Sequence, residues 1–231
     1  MSQEKPNLLT IPSEIRLQIL RYTLQEPERD HVLPNAFYVY WPRAFPEPDK
    51  YKPPFYGTAE MSKLFTICRE IHDELETLLY TQFVFIFAHF LSLASARDFI
   101  NPLSTRKKGL LREIMVPINL NLGFWKTEDD PAKINADQVR RKGEAFEYMR
   151  ATLPGLRRVH IYPIFIGGSL DGSMPKGRLD EFADLIMDLV SIFTPNSEVV
   201  LFNTDRQQCR VDIMKVCNER LLELTRNRNG F

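Results

Sequence analysis

The sequence predicts an α/β protein in which a helical N-terminal part leads into an irregular βα array with a mainly parallel sheet. Three observations carry this. Apolar residues recur at helical spacing in two early segments. From residue 83 onward, short β-branched and aromatic runs alternate with longer amphipathic stretches. Each strand-like run is separated from the next by enough chain for a helix, which favours parallel pairing through right-handed crossovers.

Residues 8–24 read as the first helix. Pro12 suits a first turn, where its missing N–H would have no intrahelical partner. Glu14 follows, placing negative charge near the positive end of the helix dipole. Ile11, Ile15, Ile19 and Leu20 then form one apolar stripe, and Pro27 ends the helix. Residues 27–58 cannot be a regular helix, because six prolines and eight aromatics crowd the stretch from Pro34 to Tyr56. Two readings stay open for it. It is an ordered cover on the core with a short strand near 37–40, or it is a surface for a partner. The second reading takes Tyr38, Tyr40, Trp41, Phe45, Tyr51, Phe55 and Tyr56, with Trp125 from a later loop, as target-binding aromatics.

A long amphipathic helix is expected over 58–80. Met61, Leu64, Phe65, Cys68, Ile71, Leu75, Leu78 and Leu79 lie on one face, and Glu70, Asp73, Glu74 and Glu76 lie mostly on a solvated one. Strands follow at 83–87, 112–118, 156–162 and 198–202, with helices at 89–100, 137–152, 178–193 and 206–227 between and after them. The strand starts are unequally spaced, so the array is not a consensus repeat. Loops are expected at 119–136 and 163–177. The chain divides as a helical region 1–80, with its insert at 27–58, and an α/β body 81–231, together one continuous compact unit.

Lys plus Arg and Asp plus Glu number 30 each, so the net charge is zero and phosphate-driven nucleic-acid binding is not expected. Three scattered cysteines exclude a disulfide scaffold and fit a reducing compartment. The N-terminus lacks a basic-then-apolar leader. The longest apolar stretch, 83–96, is too short to span a bilayer and contains His89. The expectation is a soluble protein of the cytoplasm, the nucleus or both, with no membrane partner.

Few residues suggest chemistry. Cys68 and His72 are four apart on one helix, but no second pair completes a zinc set, and Cys209 and Cys217 have neither zinc-knuckle nor redox spacing. No metal or cofactor is expected. His160 is expected on a strand face turned away from the core. The run Ile166-Gly167-Gly168-Ser169-Leu170-Asp171-Gly172 follows a strand and precedes a helix, the position of a phosphate cradle, yet has neither a Gly-Lys-Ser/Thr ending nor dinucleotide spacing. The basic runs Arg106-Lys107-Lys108 and Arg140-Arg141-Lys142 read as solvated faces.

Leu9-Thr10-Ile11-Pro12-Ser13-Glu14-Ile15, followed by Ile19-Leu20, resembles the opening helix of an F-box, which docks on the Skp1 adaptor. Ile67-Cys68-Arg69-Glu70-Ile71 resembles a later F-box helix, and the stretch 64–87 is similar to fungal F-box-like proteins, where such a helix ends in Leu-Tyr and runs into an aromatic strand. The resemblance covers 8–24 and 60–87. A compact F-box joins these helices directly, whereas 27–58 separates them here, and Ile71 stands where tryptophan is usual. It implies an F-box-like head on a leucine-rich-repeat-like body. It also implies a non-enzymatic interaction protein, a substrate adaptor of a ubiquitin ligase, with Leu9, Ile11, Pro12, Ile15, Ile19 and Leu20 facing Skp1. An unknown target would be held by the loops at 27–58, 119–136 and 163–177. A self-contained scaffold that does not bind Skp1 is the alternative, and an enzyme using the 163–177 loop is a third.

Overall fold

The structure is a computed structural model, described here for residues 8–24, 36–39, 66–87, 92–121, 131–166, 176–201 and 208–229. It is α/β, with five strands in one parallel sheet. The strands are β1 (Ala36–Val39), β2 (Val84–Phe87), β3 (Glu113–Asn121), β4 (Arg158–Ile166) and β5 (Glu198–Leu201). Their spatial order is their chain order, and every neighbouring pair is parallel. Each connection therefore steps one place in one direction, and right-handed crossovers place the helices on one face.

The helices are α1 (Ser13–Leu24, after a 3-10 turn Leu8–Thr10), α2 (Arg69–Gln82), α3 (Leu93–Ile100), α4 (Thr105–Leu110), α5 (Pro131–Thr152), α6 (Lys176–Phe193) and α7 (Gln208–Asn229). The strip Phe85, Phe87, Ile114, Val116, Ile118, Leu120, Val159, Ile161 and Val199 forms one buried cluster with Ile71, Leu75, Phe146, Phe193 and Ile213 from the helices. Strand alternation sends Val84, Ile86 and Met115 to the opposite face, where they form a second, smaller cluster with Tyr162 against it. Leu20 of α1 belongs to the main cluster, so the core runs unbroken from α1 to α7 across residue 80. The α2 helix is the crossover between β1 and β2.

Several boundaries move from their sequence-based positions. The first helix is split: Pro12 precedes α1, and its carbonyl accepts the first helical bond from Arg16 N–H. Among the described residues α2 starts at Arg69, because Thr66 and Ile67 form a turn and Cys68 is its extended N-cap. The 163–177 loop shrinks, since β4 continues through Pro163 to Ile166. The 119–136 loop shrinks too, since β3 runs to Asn121 and α5 opens at Pro131. Both strands tolerate a proline for one reason. Among the described residues the β2–β3 pairs run to Met115 and the β4–β5 pairs to Ile161. Pro117 and Pro163 lie past those described pairs, so their missing N–H groups break none of them. The short α4 was not anticipated; Ser104 caps it by accepting from Lys107 N–H at 3.3 Å.

Backbone bonds tie α2 to the amino ends of β3, β4 and β5. Arg112 N–H donates to the Tyr80 carbonyl at 3.1 Å, and the Arg112 carbonyl accepts from Arg157 and Arg158 at 2.9 and 3.0 Å. Glu198 N–H then donates to the Arg157 carbonyl at 2.7 Å.

Candidate protein-docking surface

The α1 helix has two unlike faces. Inward it presents Arg16, Leu20 and the half-buried Leu17, which rest on α2 and the core. Outward it presents Ile15 and Ile19, 48% and 40% exposed, with Tyr22 at 74% one turn further on. Spacings of four and then three residues put these on one side of the helix. Leu9, in the 3-10 turn, is 40% exposed, and Ile67, beside the start of α2, is 55% exposed. An exposed apolar side chain standing alone is ordinary; three on one side of a single helix are not.

Of the residues expected to face an adaptor, Leu9, Pro12, Ile15 and Ile19 are exposed and Ile11 is half-buried. Leu20 is a correction: at 1% exposure it is core, because it follows Arg16 by four residues and shares the inward face. Tyr22 and Ile67 were missed as surface candidates. The helical spacing of Tyr22 from Ile15 and Ile19 would have found the first. Of the target-binding aromatics, Tyr38 lies on β1 in register with Ile86. Tyr40, Trp41, Phe45, Tyr51, Phe55, Tyr56 and Trp125 lie outside the described residues, as does the 167–172 glycine run.

The inward face is held by charge. The Arg16 guanidinium, 5% exposed, donates from Nε and Nη2 to the two Glu74 carboxylate oxygens at 2.8 and 2.6 Å. Nη2 also donates to Glu70 at 2.7 Å, and Nη1 donates to the carbonyls of Leu9 and Ile11 at 3.4 and 3.3 Å. The two-point pairing with Glu74 pushes the Arg16 pKa above its ordinary value. On the far side of α2, Glu76 is buried and accepts Lys107 at 2.9 Å and Arg106 at 3.4 Å, while Asp73 pairs with Arg106 at 3.1 Å. The acidic face of α2 and the basic run at 106–108, both expected to be solvated, are thus partly used to fasten α1 and α4. A cleft of about 390 Å³ lies among these groups, lined by Leu17, Glu70, Asp73, Glu74, Thr77 and Arg106 among others.

Other titratable groups sit elsewhere. His160 does turn away from the main core, yet it is buried; its Nε2 lies 3.2 Å from a Glu113 oxygen, and Nδ1 has no hydrogen-bond partner. Arg158 bridges Glu198 at 2.8 Å and Glu113 at 3.2 Å, and Glu198 in the first place pushes its pKa up. Lys142, expected on a solvated run, is 6% exposed, and burial pulls its pKa down to about 8. Burial pushes the Cys217 thiol up to about 12, far from thiolate chemistry at neutral pH. Among the described residues no group of three or more His, Cys, Asp or Glu could hold a metal ion. Nor is any helix among them long and apolar enough to cross a membrane.

Comparison with known proteins gives no match to a family model, to a curated protein or to a solved structure.

Proposed function

We propose that this chain is a non-enzymatic protein-interaction module that docks a Skp1-type adaptor through α1 and carries a target to a ubiquitin ligase. One observation carries the reading: Ile15 and Ile19 stand outward on a helix whose opposite face is locked to α2. An amphipathic helix that keeps its second apolar ridge in solvent has the form needed to fill a partner's groove at i, i+4 positions. The F-box-like words in the sequence choose the adaptor among possible partners.

The body fits the same reading as a leucine-rich-repeat-like array. Among the described strands the order never reverses, so they form no switch-point crevice of the kind where open α/β sheets take small ligands. The chain after β1, β3 and β4 leaves from the carboxyl edge of the sheet, the edge from which the later part of 27–58 and the segments 119–136 and 163–177 depart. The mechanism is positioning, with no bond made or broken.

The test is a pull-down with purified Skp1, comparing wild type with Ile15→Asp, and a melting curve for each. The expected outcome is binding by wild type, loss of binding in the variant and little change in melting. No binding by wild type removes the ligase role. A variant that unfolds returns the helix to the self-contained scaffold alternative.

A further inference from the structure

We infer that Arg16 is the positioning residue of the docking face, an inference that rests on the proposed function. Its guanidinium joins three pieces of chain at one point. It grips α2 through Glu74 and Glu70, it belongs to α1 itself, and it holds the 3-10 turn through the carbonyls of Leu9 and Ile11. Leu9, Ile15 and Ile19 belong to the turn and the helix that this one side chain aligns.

Apolar packing does less for α1. Of its described apolar side chains Leu20 is buried and Leu17 half-buried, while Ile15, Ile19 and Tyr22 are exposed. An element with few buried apolar side chains opens locally before the whole domain does. The planar guanidinium supplies several directed bonds at once, and lysine cannot reproduce that geometry. Arg16 thus acts through the residues it aligns and touches no partner, since it lies beneath the surface.

Hydrogen exchange tests this without any partner. In Arg16→Met, amides of residues 17–24 should exchange roughly tenfold faster or more, while those of 114–120 and 159–161 keep wild-type protection. Adaptor affinity should fall in the same variant, with Arg16→Lys recovering part of both effects. Glu74→Gln should reproduce the exchange change from the other side of the pairing. Unchanged exchange in α1 overturns the inference. So does acceleration of α1 and the strands together, or failure of both Arg16→Met and Glu74→Gln to fold, because either makes Arg16 a general stabiliser. If wild type does not bind the adaptor, the functional reading falls while the exchange result still judges the role of Arg16.

Discussion

Replacing Lys142 by Met should stabilise the protein, and the gain should fade as pH rises. Lys142 lies on α5 under the sheet, and its Nζ donates to one acceptor, the carbonyl of Pro117, at 3.1 Å. Burial lowers its pKa from 10.5 to about 8. Between those values the unfolded chain holds more protons than the folded one, so stability rises with pH across the window. The shift corresponds to a cost of about 3 kcal/mol near pH 7, falling to about 1 kcal/mol near pH 9.5. Met keeps the stem's packing and removes the charge, but loses the bond to Pro117 at about 1 kcal/mol. The net gain is therefore about 2 kcal/mol near pH 7 and close to zero near pH 9.5. Urea denaturation of both proteins at the two pH values measures it. A gap that does not change with pH, or a Met variant less stable at neutral pH, refutes the reasoning.

Two further outcomes follow from the packing. Gly155→Ala should destabilise by about 1–3 kcal/mol in the same assay, because a Cβ there would collide with the Gly109 carbonyl and stand 2.8 Å from Arg112 Nη1, which donates to the Gly155 carbonyl. A variant as stable as wild type would show that the turn relaxes freely. Cys217, fully buried with its thiol pushed up to about 12, should resist a maleimide reagent near pH 8 in the folded protein and react on unfolding, as followed by mass spectrometry. Labelling of native Cys217 at the rate of an exposed thiol would contradict its burial.

Periodicity exposed the helices and strands because both depend on side chains close in sequence. Ile114, Val116 and Val159, Ile161 alternate as packed strands should, and Ile71, Leu75, Leu78 and Leu79 mark the inner face of α2. The ends were less legible where the deciding partner is distant. Nothing near Pro163 says that it lies past the described β4–β5 pairs, yet there its missing N–H breaks none of them. The buried charges fall between these cases. Lys142 sits three residues after Val139 and four before Phe146, both core, so helical spacing alone places it inward. Reading the basic run as a block hid that. Arg16 likewise shares the face of Leu20, but its partners Glu70 and Glu74 are more than fifty residues away, and only the fold brings them together. The outward placement of Ile15 and Ile19 was undecidable from spacing, since a ridge facing inward has the same period.

The sequential strand order has a consequence for growth and loss of chain. Each strand bonds only to those before and after it, as courses of masonry are laid, so the β5 margin lies three strands from the β2 that α2 leads into. Units appended or removed along that far margin would disturb the pairing of β4 first and of β2 last. A lineage built on this plan could alter one side of the sheet while leaving the strand pairing at the other untouched.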